Sequence, residues 1–324
     1  MNLPRRRFLH LATGAAAFAV VSRIAQAGTY PTRSVRMIVP FPAGNASDIL
    51  ARLVAQSLSE RLGRPFIIEN RPGAGGTIGT EVVVRAAPDG YALLMEVMTA
   101  NAINATLYDK LNYDFIRDIA PVASIGRASY VMVVNPSLPA QTIPEFIAYA
   151  KTNPSKVNMA SAGNGTATHA FGALFMVLAG VDMVHVPYRG SFMPDLLGGQ
   201  VQVVFGPIVQ LLDQVRTGKL RALAVTAATR QAVLPDIPTV AESLPGYEAT
   251  VWYGMGAPKN TPAEIIEKLN MEIAAILADD TMKARFAELG CTPVLATSAE
   301  FGKFTAAEIE KWAKVIRAAN IKPD

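Results

Sequence analysis

Short apolar runs alternate along this chain with longer segments whose apolar residues recur every three or four positions. The run 35–39 (Val-Arg-Met-Ile-Val) reads as a strand. Residues 48–62 follow with Ile49, Leu50, Leu53, Val54, Leu58 and Leu62 at helical spacing. The same reading predicts strands at 66–68 and 92–95 around a helix at 79–87. A second block begins with a strand at 130–134. Helices are predicted at 143–151, 169–179 and 208–217, and strands at 157–160, 184–186, 201–205 and 221–225. From Pro262 onward the pattern is helical, over 265–278, 281–289 and 299–318. Repeated strand-helix units predict an α/β fold of doubly wound, mostly parallel sheets.

The first 27 residues do not fit this alternation. Arg5, Arg6 and Arg7 form a basic start, an alanine-rich apolar run covers 11–21, and Ala25-Gln26-Ala27 is a small-x-small cleavage signal. The run is shorter than the roughly 20 apolar residues that span a bilayer. An export signal cut before Gly28 is the expectation. Arg5-Arg6-Arg7-Phe8-Leu9 fits the twin-arginine form, with Pro4 where Ser or Thr is usual; an ordinary secretory signal is the alternative. Either route predicts a periplasmic protein. No cysteine follows the cut, so no lipid anchor is expected.

Removing that segment changes the electrostatic picture. Its four arginines, taken from 30 basic residues, leave 26 to match 26 acidic ones, so the formal charge falls from +4 to zero. A nucleic-acid partner is therefore not expected. Cleavage after residue 27 of 324 leaves 297 residues, enough for two domains. Cys291 is the sole cysteine and follows Gly290 in apolar surroundings, which suits a buried inert thiol.

Two strand-to-helix loops are rich in small residues, at 40–48 (Pro-Phe-Pro-Ala-Gly-Asn-Ala-Ser-Asp) and 161–169 (Ser-Ala-Gly-Asn-Gly-Thr-Ala-Thr-His). Ligands in doubly wound folds bind at the carboxyl ends of strands, where such loops lie. A following helix offers free N–H groups and about half a positive charge, an anion site without Lys or Arg. The alternative is that Ser47, Thr166 and Thr168 only cap helices. Asp48, in the first turn of its helix, is expected to be structural. His169 suits ligand or capping contact as well as a structural role, and His185 reads as a strand histidine. A third glycine-rich stretch, 69–79, lacks both the GxGxxG spacing and a phosphate loop. No GxSxG, CxxC or HExxH motif occurs, so neither enzyme, metal nor cofactor is indicated.

The chain resembles the Bug-type receptors of tripartite tricarboxylate transporters. The resemblance runs over the whole chain after the signal. It rests on Ile38-Val39-Pro40-Phe41-Pro42, Glu69-Asn70-Arg71-Pro72-Gly73-Ala74-Gly75-Gly76, Ala87-Pro88-Asp89-Gly90-Tyr91, His185-Val186-Pro187-Tyr188-Arg189-Gly190 and Asp195-Leu196-Leu197-Gly198-Gly199-Gln200-Val201, and on Gly218-Lys219-Leu220-Arg221-Ala222-Leu223-Ala224-Val225-Thr226 and Leu234-Pro235-Asp236-Ile237-Pro238-Thr239-Val240. It implies a type II periplasmic binding protein. Two doubly wound α/β domains, 28–127 plus 250–324 and 128–249, are joined by crossing strands and close like a Venus flytrap. It also implies a monomeric receptor for a small organic carboxylate that serves membrane permease subunits. Two loops, matching 41–48 and 162–169, grip the carboxylate, partly through water.

Carried onto this sequence, the resemblance points to Phe41, Ala43, Gly44, Asn45, Ala46, Ser47 and Asp48 in the first loop and to Ala162, Gly163, Gly165, Thr166 and His169 in the second. Thr99-Ala100-Asn101 stands where a histidine is common at the last position, and Gly206 where many relatives carry Asp. Gly206 is expected to open volume and to leave an ammonium without a partner, which argues against an amino acid. Tyr188 completes the set, and Phe41, Phe192 and Tyr253 are candidate aromatic walls. An aromatic acid or a dicarboxylate is the favoured ligand. Rival readings are a receptor for a signalling partner, a hydrolase or transferase using Ser161, Ser191 or His169, and a structural envelope protein.

Overall fold

The computed structural model describes residues 30–108 and 110–323, so the predicted export signal lies outside the described residues. Strand β1 (Val35–Val39) pairs in parallel with β2 (Phe66–Asn70) and β3 (Ala92–Val97). Helix α1 (Ala46–Leu62) joins β1 to β2. Its start is set by Asn45, whose Oδ1 accepts the Asp48 N–H at 2.9 Å. Its end is set by Gly63, left-handed at φ 67°, whose N–H reaches the Ser59 carbonyl at 3.0 Å. Leu50, Ala51, Val54, Ala55 and Leu58 form its buried stripe. Full burial of each aliphatic side chain contributes about 1.5–3 kcal/mol.

The next strand, β4, runs for 16 residues from Ile119 to Val134. Its first part pairs with β9 (Thr250–Pro258) and β10 (Cys291–Pro293), and its last part with β7 (Val203–Pro207) and β8 (Arg221–Val225). Strands β5 (Asn158–Ser161) and β6 (Val184–Pro187) complete the order β2-β1-β3-β9-β4-β7-β5-β6. Every pairing of β4 and β9 is antiparallel, while β1 with its two neighbours and β5 with its two are parallel. The expectation of mostly parallel sheets therefore holds only for the outer strands. The long crossing strands return through the middle in the opposite sense. The divisions expected at 127/128 and 249/250 fall inside β4 and at the start of β9.

Only 130–134 of β4 was legible as strand, because Pro121 and Gly126 interrupt its earlier half, where Ile119, Val122 and Ile125 do not alternate. Neighbouring elements press on the glycines of both crossing strands. A Cβ on Gly126 of β4 would sit 2.8 Å from the Cys291 sulfur, and one on Gly254 of β9 would overlap the Phe301 ring. Cys291 itself is buried, which pushes its thiol up to about 12. Phe301 lies on the C-terminal helix, Ser298–Ala318, opened by a capping box between Thr297 and Glu300. Farther along, Trp312 stacks on Phe171 at 5.5 Å and ties this helix to α6 (Ala167–Ala179) behind β5. Among the described residues no helix is long and apolar enough to cross a membrane.

Candidate functional site

Two loops, after β1 and after β5, end in helices whose N-termini face one cavity of about 310 Å³. Asn45, Ala46 and Ser47 line it from α1, and Gly165, Thr166 and Ala167 from α6. The first amides of a helix have no intrahelical acceptor, and those of Ala46, Ser47 and Ala167 meet none among the described residues. Thr166 does not cap α6. Its hydroxyl donates to the Gly163 carbonyl at 2.7 Å and meets the Thr168 hydroxyl at 2.9 Å. Two positive helix ends are thus left open toward the same space.

The amides expected to hold a ligand are partly occupied. Gly44 N–H donates to Asp48 Oδ2 at 2.9 Å, Gly163 N–H to Ser161 Oγ at 3.1 Å, and Gly165 N–H to His169 Nδ1 at 3.3 Å. The free donors lie one to three residues later, inside the helices. Asp48 is 2% exposed and also accepts from Arg52 and Asn70. Burial alone would raise its pKa, but these donors hold it below the usual carboxylate range. It clamps the first loop and does not line the cavity. His169 does the same for the second loop. It is buried and stacked on His185 at 3.6 Å, and burial together with that neighbour pushes it down to about 3. Behind it, His185 Nε2 lies 2.6 Å from Ser161 Oγ. Ser161 is fully buried within this support, outside the cavity lining.

The structure brings Phe41, Asn45, Ala46, Ser47, Thr99, Gly165, Thr166 and Tyr253 together around the cavity. Ala43, Gly44, Ala162 and Gly163 stay in the loops behind it. Ala100 packs against Gly76, and Asn101 turns inward to accept the Val97 amide at 2.8 Å. Three further expectations are corrected. Tyr188 donates to Asp195 at 2.6 Å and packs edge-on to Phe192, which is buried in the smaller hydrophobic core. Neither ring walls the cavity. Gly206 opens no volume there, because the space above its Cα holds Leu211, whose Cδ1 would lie 2.7 Å from an added Cβ.

Asn164 and Ala167, from the predicted second loop, also line the cavity, while sequence reasoning missed Gly75, Val97, Asn104, Leu107, Tyr108, Tyr130 and Val251, which complete the lining. Gly75 had a visible signal, its glycine-rich stretch, set aside because it lacks the nucleotide-binding spacings. It is held at φ 64° by Asn104, whose Nδ2 donates to its carbonyl at 2.8 Å. Tyr130, Val251 and Tyr253 come from the crossing strands, where only the fold makes them neighbours.

Comparison with known proteins agrees with this architecture. The profile of the tripartite tricarboxylate transporter family receptor matches residues 50–321. BugT of Bordetella pertussis is 38% identical over 300 residues, covering 91% of this chain and 92% of BugT. An R. palustris protein solved with adipate superposes with a TM-score of 0.77 at 35% identity, covering 91% of this chain and 100% of that one. The malate-bound MatC of Rhodopseudomonas palustris gives 0.73 at 32%, covering 89% and 100%. These are solute-binding receptors, not enzymes. With a profile match spanning most of its length and relatives this similar, the chain belongs to the receptor family of the tripartite tricarboxylate transporters.

Proposed function

We propose that this receptor captures a small organic carboxylate in the periplasm and delivers it to the membrane subunits of a tripartite transporter. One observation carries the reading. Two helix N-termini, with amides at Ala46, Ser47 and Ala167 unpartnered among the described residues, converge on one cavity whose lining, among those residues, contains no charged side chain. Such amides bind anions without a counter-ion that a permease would have to strip away. Each charge-assisted hydrogen bond contributes roughly 1.5–3 kcal/mol. The adipate-bound and malate-bound relatives support a carboxylate ligand. Residues 28–127 with 250–324, and 128–249, act as the two bodies that close on it, bending at β4 and β9.

Among the described residues no Asp or Glu lines the cavity to meet the ammonium group of an amino acid, and Asp48 is engaged elsewhere. A thermal-shift screen of organic acids, amino acids and neutral sugars tests the proposal. Ligand at 100 times its Kd stabilises by about 2.7 kcal/mol, so an acid should raise the melting temperature while sugars should not. Stabilisation by a sugar or an amine alone would overturn it.

A further inference from the structure

The cavity says more about its ligand than that it is an acid. Each helix end presents about half a positive charge, so the two together balance about one carboxylate. Among the described residues no Lys, Arg or His lines the cavity to balance a second. Once the lobes close and water leaves, a second carboxylate would be desolvated without a partner.

The rest of the lining is aromatic and aliphatic. Phe41, Tyr108, Tyr130 and Tyr253 contribute four rings, with Val97, Leu107 and Val251 between them. Flat apolar walls of this kind suit an aromatic body. The tyrosines also bring unmet polar groups. Elsewhere in the fold, Tyr30, Tyr188 and Tyr247 donate to Gly90, Asp195 and Phe171 at 2.7, 2.6 and 3.1 Å. Among the described residues the hydroxyls of Tyr108, Tyr130 and Tyr253 have no such partner, although Tyr253 is only 6% exposed. Burial, with Tyr130 close by, raises the Tyr253 pKa well above the usual tyrosine value, so it is a neutral hydroxyl that can donate or accept. A wholly apolar ligand would bury these hydroxyls unsatisfied. They could donate to a carboxylate, but with no cation behind them they would have to offset the desolvation of a full charge.

We infer that the receptor selects a singly charged aromatic acid bearing a neutral hydroxyl or carbonyl group, and discriminates against dicarboxylates. The inference rests on the carboxylate reading above and narrows it. Tyr253 is its specificity-determining residue, with Tyr108 and Tyr130 beside it.

The test is calorimetric titration of the purified protein with 3-hydroxybenzoate, 4-hydroxybenzoate, benzoate, adipate and malate. One of the two hydroxybenzoates should bind tightest, by about tenfold over benzoate, the effect of one buried hydrogen bond. It should exceed both diacids by at least as much. In Tyr253→Phe the preference for the hydroxylated acid over benzoate should collapse. Tyr108→Phe, in a loop rather than a central strand, serves as the second variant should Tyr253→Phe fail to fold by thermal melting. Adipate or malate binding as tightly as either hydroxybenzoate would overturn the inference and leave the carboxylate reading standing. Binding of none of the five acids would overturn both. A hydroxyl preference that persists in both Tyr→Phe variants would overturn the role given to the tyrosines.

Discussion

Replacing Glu96 by Gln should flatten the dependence of stability on pH between about 5 and 8. Glu96 sits on β3, 1% exposed, and neither carboxyl oxygen has a hydrogen-bond partner. It faces a cavity of about 200 Å³ walled by Phe115, Ile119, Pro121 and Thr305, on the far side of the sheet from the core that holds Met95 and Val97. Burial pushes its pKa from 4.5 to about 8. Below pH 4.5 the folded and unfolded chains both carry the proton, and stability is full. Between 4.5 and 8 only the folded chain keeps it, so stability falls as pH rises, by about 1.4 kcal/mol per pH unit. The loss is complete above about 8 and reaches as much as about 5 kcal/mol. That is comparable with the whole stability of a typical domain, about 5–15 kcal/mol. Urea unfolding of both proteins at pH 5, 6, 7 and 8 measures it. The variant should be less stable than or equal to the parent at pH 5 and more stable at pH 8. Parallel profiles across the four pH values would refute the reasoning, because they would mean that the carboxyl is ionised in the native state.

Gly165→Val should weaken acid binding by more than about tenfold in calorimetry. A non-glycine residue at φ 69° costs roughly 1–2 kcal/mol, and the new Cβ would push Leu107 into the cavity it lines; unchanged affinity would remove this loop from the site. Acid should act through His169, held neutral down to about 3 by burial and by His185. Its native pKa lies below the unfolded value near 6.5, so its share of stability is full above 6.5 and is lost as pH falls toward 3. Protonation would also take away the acceptor for Gly165 N–H. NMR should show one imidazole that does not titrate down to pH 4.5, and an ordinary midpoint near 6.5 for both described histidines would contradict this.

Local rules carried the sequence reading well where structure is local. The helix at Ala46–Leu62 and the strands at Val35–Val39 and Arg221–Val225 were visible in apolar spacing alone. The loop positions were legible for the same reason, since a strand followed by small residues and a capped helix is a short-range pattern. What failed was anything set by distant partners. The first half of β4 carries no strand-like pattern because Gly126 and its neighbours answer to helices about 160 residues away. Which amides are free depended on side chains that no spacing rule assigns. Asp48 and His169 take the glycine amides that loop chemistry alone would have given to the ligand. The significance read into Gly206 was misplaced because the space beside its Cα is filled by Leu211, and it does not line the cavity.

The position of β9 between β3 and β4 also orders events during synthesis. The first sheet cannot close until the ribosome has passed residue 250, and the helices Ala263–Ala278 and Ser298–Ala318 that cover it emerge later still. The nascent chain therefore carries two apolar strand edges, on β3 and β4, from the completion of β4 until β9 emerges, with the whole second sheet made in between. Such edges are aggregation-prone and call for a chaperone until release. A premature stop before residue 250 would not merely shorten this protein; it would leave its oldest segment without the strand that completes its sheet.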